Sequence, residues 1–128
     1  MKYPSAYRFQ FRAGPYTPPT VAVGTAVHDE RCGDVTMAGM TDAPIPWPGF
    51  HCERGRHKGL MPILFDGLVR AVVEEKEVVV GHYWGVSSFI VNEWKRAIAG
   101  CEDSNQVFTA LAVKRADPAF REKYGYAG

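Results

Sequence analysis

Two kinds of apolar spacing divide the chain. In V-A-V-G-T-A-V-H (21–28) the residues Val21, Val23, Thr25 and Val27 alternate onto one face, and in V-T-M-A-G-M (35–40) Val35 and Met37 do so again. Period-two alternation on both sides of D-E-R-C-G-D, with Gly33 in the polar connection, predicts a β-hairpin. The following T-D-A-P-I-P-W-P-G (41–49) interleaves Pro44, Pro46 and Pro48 with Ile45 and Trp47. Three missing backbone donors predict an extended segment at a sheet edge or across the surface, with Trp47 as a lid on the core or the segment offered to a partner, as P-Y-T-P-P (15–19) would be. A loop rich in Gly, Arg and His is expected over 49–59, and M-P-I-L-F (61–65) reads as a last short strand.

From Asp66 onward the period becomes helical. Leu68, Val69, Val72 and Val73 recur on one stripe behind Asp66, a good N-cap. A second helix over about 76–84 follows, although the β-branched Val78, Val79 and Val80 would suit a strand as well. Ser87 caps a third helix that runs through Trp94 to about Ala99 and stops at Gly100. Beyond it, a capping Asp103 or Ser104 precedes a stripe of Val107, Phe108, Leu111 and Ala112. Asp117, Pro118 and Gly125 then bound a short terminal helix with Phe120 and Tyr124 four residues apart. The fold class expected is α+β: a small antiparallel region of about three strands (1–65), a three-helix unit (66–100) and one or two C-terminal helices (101–128) in a single domain. At 128 residues with 46% hydrophobic content the chain has enough apolar material for one packed core.

Residues 77–96, E-V-V-V-G-H-Y-W-G-V-S-S-F-I-V-N-E-W-K-R, fit a helix-turn-helix register. Gly81 is small where two helices cross, Gly85 four positions later supplies a positive φ for the turn, and Val80, Trp84, Val86, Val91 and Trp94 stand where the pair needs its shared core. In such a unit the second helix of the pair enters the major groove. Ser88, Phe89, Asn92, Lys95 and Arg96 project away from its apolar side: Asn92 carries the amide geometry for adenine, Phe89 an apolar surface for a thymine methyl, and Lys95 and Arg96 charges for phosphate. An ordinary helical hairpin with Trp84 and Trp94 as core would have the same apolar pattern, and Glu93 on this face is unfavourable for DNA.

The stretch resembles the helix-turn-helix superfamily. More narrowly, G-M-T-D-A-P-I-P-W-P (39–48) together with H-Y-W-G-V-S-x5-E-W-K-R-A (82–97) resembles an uncharacterised family of bacterial helix-turn-helix proteins, in which a small β region precedes the helical unit and the third helix is usually richer in Arg and Lys. In this chain Ser88, Phe89, Asn92 and Glu93 fill those positions. The resemblance spans about residues 5–100 and implies a fold and DNA binding, with no activity attached.

Charge refines the expectation. Fifteen Lys and Arg against fourteen Asp and Glu give a formal +1, so a phosphate-binding surface must be assembled from separate segments. Residues 1–24 carry Lys2, Arg8 and Arg12 without an acid, and 51–60 carry Arg54, Arg56 and Lys58 against Glu53, whereas 25–50 are acidic. Arg54, Arg56 and Lys58, with Arg8 and Arg12, are therefore expected to add phosphate contacts beside the helical unit.

Other chemistry is sparse. His28 and Cys32, and Cys52 with His57, have spacings from which two His and two Cys would converge as zinc ligands, although neither pair is a C-x2-C knuckle. The alternative is no cofactor, with Cys32 and Cys52 as partly buried thiols and His51 and His57 in the basic loop. The nucleophile-elbow, phosphate-loop, H-E-x-x-H and G-x-G-x-x-G patterns are absent; Asp29, Glu30 and Asp34 read as solvated turn acids, His82 as a surface or core residue, and no enzyme is expected. Three cysteines without paired spacing read as reduced thiols, and no run approaches the roughly 18 apolar residues of a membrane span, nor does the N-terminus carry a secretory core. The expectation is a cytoplasmic protein that binds double-stranded DNA, for transcriptional regulation or as a mobile-element accessory, alone or as a homodimer and without a membrane partner. The alternative is a protein-protein interaction module with a degenerate helix-turn-helix and no catalysis.

Overall fold

Four of the five described helices begin behind a side-chain cap, and two end on a glycine. In a computed structural model of the chain, which describes residues 10–52 and 59–124, helix α1 is Gly67–Glu74, α2 Glu77–Trp84, α3 Ser88–Ala99, α4 Ser104–Ala116 and α5 Pro118–Lys123. Asp66 caps α1 through a 2.7 Å bond from the Gly67 amide, and it adopts φ 54°, a strained value for a residue with a Cβ. Asp103 accepts from the Asn105 and Gln106 amides at the start of α4, and Asp117 from Ala119 with Pro118 in the first turn of α5. Gly85 and Gly100 end α2 and α3 in the left-handed conformation, at φ 69° and 74°. α2 is helical in spite of its three valines: Val79, Val80 and Trp84 are buried, and tertiary packing outweighs the modest helix penalty of β-branching.

The β region precedes the helices, so the chain is α+β. It differs in detail from the sequence expectation. Strands β1 (Ala26–Asp29) and β2 (Gly33–Thr36) form the expected antiparallel hairpin, with Val27 opposite Val35. The alternation over 21–25 does not become strand: Gly24 at φ 92° turns the chain, Thr25 N donates to Ala22 O, and Val23 is exposed. The run 35–40 is likewise split. Met37 is buried, and Gly39–Met40 forms a separate strand β3 in a second sheet of order β3-β4-β5, with β4 at Pro48–His51 and β5 at Leu60–Pro62, antiparallel throughout. The loop expected over 49–59 therefore begins later, and 53–58 lie outside the described residues.

The proline-rich segment runs across the surface at Pro44 and Pro46, which are exposed as expected, and turns inward at Trp47, Pro48 and Gly49, which are buried. Trp47 is fully buried, donates Nε1 to the Ile63 carbonyl and its backbone N–H to Thr41 Oγ1, and meets Trp84 edge-on at 5.7 Å between ring centroids. Pro48 lies in the middle strand, where its carbonyl accepts from Ile63 N and it stands opposite Met40 at the strand's end, so its missing N–H interrupts little. Ile45 N donates to Tyr83 O, which fastens this segment to α2.

Trp47, Trp84 and Trp94 centre a core that includes Ile63, Leu64, Leu68, Val72, Val80 and Val91 and extends to Val107, Leu111 and Phe120 of the last helices. Two buried carboxylates close it. Asp29, only 2% exposed and not the solvated acid expected of a turn, accepts from the amides of Arg31, Cys32 and Leu64 and so ties the hairpin to the entry of α1. Glu75, 4% exposed, accepts from the Arg12 and Ala13 amides and from the Tyr16 hydroxyl, holding residues 12–16 against the end of α1. Satisfying such groups is a condition of burying them. At the other end the rings of Phe120 and Tyr124 meet at 4.7 Å between centroids, tilted by 48°, and Tyr124 donates to Glu30, so α5 docks on the hairpin turn.

Candidate nucleic-acid interface

The junction of α2 and α3 is built by three small features. A Cβ on Gly81 would stand 2.9 Å from the Val86 carbonyl oxygen, so only glycine permits this approach. Gly85 turns the chain through positive φ, and its N–H returns to Gly81 O. Ser87 then caps α3, its hydroxyl accepting from the Ile90 amide at 3.4 Å, and Val91, Trp94 and Ile98 form the buried side of that helix.

Opposite this side, spaced i, i+3, i+4 and i+7, stand Phe89, Asn92, Glu93 and Arg96. Phe89 is 65% exposed; the other three are half-buried. Each polar member already has a protein partner. Asn92 Nδ2 donates to Glu77 Oε1 of α2 at 3.3 Å, and Arg96 donates to Glu93 Oε1 at 2.9 Å. Glu93 Oε2 lies 3.8 Å from an Arg31 guanidinium nitrogen, which reaches α3 from the connection between β1 and β2. The face thus combines a large apolar residue, an amide and a carboxylate held between two arginines.

Ser88 and Lys95 lie to one side of this stripe. Ser88 is exposed and lines a hollow between α2 and α3 with Lys76, Glu77, Val78, Gly81 and His82. Lys95 is half-buried and, with Asn92 and Arg96, faces Ser104, Val107, Phe108 and Leu111 of α4 across a second hollow. Phe108, expected in the stripe that packs α4, is instead 75% exposed, and Ala112 is exposed as well; Val107 and Leu111 alone of that set are buried, because the helix turns its Val107–Leu111 edge inward. The expected phosphate contacts Arg8, Arg54, Arg56 and Lys58 lie outside the described residues. Arg12 is exposed, with its amide bound to Glu75. Sequence reasoning did not include Arg31 at the site, since its proximity to α3 depends on how the hairpin docks.

The zinc alternative gains no geometry. His28 Nδ1 lies 3.2 Å from Asp34 Oδ1 at the surface, Cys32 and Cys52 border one hollow with Phe50 and His51, and His57 lies outside the described residues. Among the described residues no three His, Cys, Asp or Glu side chains gather as a metal would require. In the same residues no helix is long and apolar enough to cross a membrane. No family model, curated protein or solved structure matches the chain.

Proposed function

We propose that the chain binds double-stranded DNA through a helix-turn-helix made of α2 and α3, with α3 in the major groove. The observation that carries this reading is the disposition of α3: fixed from behind by Val91, Trp94 and Ile98, turned off α2 at Gly85, and presenting Phe89, Asn92 and Arg96 in sequence along its outer side. Those side chains match, in order, a methyl-contacting apolar group, an adenine-reading amide and a phosphate-binding cation. Arg31 reaches the same helix from the hairpin connection, and Lys95 of α3 stands beside the stripe; both add positive charge.

Titration of fluorescent random duplex DNA across a salt series tests the reading. With roughly 3 to 5 phosphates neutralised per protomer, log K falls against log salt with a slope of about −3 to −4.5, so a monomer binds weakly at physiological salt. Absence of binding by micromolar protein at about 50 mM salt would refute it.

A second reading, a protein-protein interaction module, is favoured by Phe89 and Phe108, both largely exposed, the latter bordering the hollow beside Asn92. Large exposed aromatics are common anchors of protein interfaces. It expects no salt-dependent duplex binding, with Phe89→Ala and Phe108→Ala weakening capture of a protein partner while leaving the fold intact.

A further inference from the structure

Glu93 is the residue of the α3 face whose charge opposes approach to phosphate, although a carboxylate can accept from a cytosine amino group in the major groove. A carboxylate approaching a polyanion is repelled, and the position lies among those that would reach base edges. Its contacts indicate another role. Its two oxygens engage two cations from different parts of the fold, Arg96 one turn along α3 at 2.9 Å and Arg31 of the hairpin connection at 3.8 Å, and all three side chains are partly shielded from solvent. Partial shielding strengthens such pairs relative to fully exposed ones.

Resting on the DNA-binding reading above, we infer that Glu93 is a specificity-determining residue that withholds Arg31 and Arg96 from phosphate and so keeps indiscriminate duplex binding weak. Backbone contacts contribute to affinity for every sequence, whereas base contacts distinguish one from another. A carboxylate that occupies both arginines reduces the first term and leaves the second, carried by Phe89 and Asn92, in place. A site whose groove geometry draws α3 deep enough to exchange the carboxylate for phosphates would release both cations together, so the bound complex would gain its backbone contacts only there. The near-zero charge of the helical unit then serves discrimination.

Glu93→Gln keeps the side chain's size and removes its charge. Binding of random duplex is measured by anisotropy over a salt series for the wild type, Glu93→Gln, Arg31→Ala/Arg96→Ala, and the triple variant, with thermal melting of each to confirm folding. Each freed arginine that reaches a phosphate makes the salt slope more negative by about 0.9 and tightens binding roughly tenfold at 50 mM salt. Glu93→Gln should therefore bind random duplex about 10- to 100-fold more tightly, and that gain should vanish in the Arg31→Ala/Arg96→Ala background. Should the amide unfold the chain, Glu93→Ala carries the same expectation. Wild-type binding that Glu93→Gln leaves unchanged would overturn this inference and leave DNA binding standing, as would a gain that persists without the two arginines, which would report only a change in overall charge. Failure of all four proteins to bind at 50 mM salt would overturn both.

Discussion

Gly81 and Val86 approach so closely that a single methyl group on the first would collide with the carbonyl oxygen of the second, at 2.9 Å. The obstructing atom belongs to the backbone of the turn and cannot swing aside as a side-chain end would. Alanine in a helix interior gains up to about 1 kcal/mol over glycine in propensity, while forced overpacking costs about 1–3 kcal/mol. Gly81→Ala should therefore lower stability by roughly 0.5–2 kcal/mol in urea unfolding, through displacement of α3 relative to α2. A variant more stable than the parent would show that the turn accommodates a side chain and that the close approach is not needed.

Trp94 lies on the buried side of α3 and is almost fully excluded from solvent. Trp94→Ala should cost about 3–5 kcal/mol, the range for removing a large aromatic from a core. Chemical denaturation measures this directly. An unchanged midpoint and slope would mean that the helix does not pack as described.

Much of the helical half was legible because its signals are local. Asp66, Ser87, Asp103 and Asp117 cap where side-chain chemistry leads one to expect, and Gly85 and Gly100 stop helices by backbone geometry that few other residues adopt. The strands were harder, since alternation says which residues share a face and not whether a partner strand lies beside them. Val21 to Thr25 alternate yet turn at Gly24, and β4 begins on a proline that argued against a strand. Phe108 shows the same limit in a helix: three apolar neighbours define a stripe about 100° wide, and only packing decides which edge of it faces in. Within the site, Phe89 and Asn92 followed from helical spacing, whereas the pairing of Arg31 with Glu93 joins residues 62 positions apart and follows from tertiary docking alone.

Tyr16 supplies a pH-dependent prediction. Its hydroxyl donates to Glu75 Oε2 at 2.7 Å, and burial first, then the Glu75 carboxylate, push its pKa well above the ordinary value of 10.0. The folded pKa exceeds the unfolded one, so the stability from neutral Tyr16 is fully present below about pH 10 and is lost as pH rises beyond it, when the unfolded chain ionises and the folded chain does not. Tyr16→Phe should cost about 1.5–3 kcal/mol at neutral pH, the range for a hydrogen bond to a charged group, and should shrink the parent's decline above pH 10. Tyr124, raised by burial and then by Glu30, adds to that decline in the same direction. Melting temperatures recorded from pH 7 to 11 decide the matter: parallel curves for Tyr16→Phe and the parent would exclude Tyr16 as the source.

Asn92 and Glu77 allow the structural and base-reading roles of α3 to be separated. The amide of Asn92 bridges to α2 through Nδ2 and Glu77 Oε1 at 3.3 Å, so the group best suited to adenine is held by a neighbouring acid in the free protein. At 3.3 Å and only partly buried, this bond to a carboxylate is weaker than the short buried one at Tyr16 and contributes about 0.5–1.5 kcal/mol, and the two single alanine variants should each lose about that much stability with little further loss in the double variant. On DNA the same substitutions should diverge. Asn92→Ala should relax preference at one base position by about 1–3 kcal/mol, whereas Glu77→Ala should preserve that preference and tighten binding to all sequences, because the amide is released and a negative charge beside the groove is removed. Unfolding curves and binding to a duplex chosen by site selection give both halves of the comparison. If Asn92→Ala weakens every duplex equally, Asn92 positions α3 against α2 and does not read a base, and the sequence-specific part of the interface must then rest on Phe89 and the first turn of the helix.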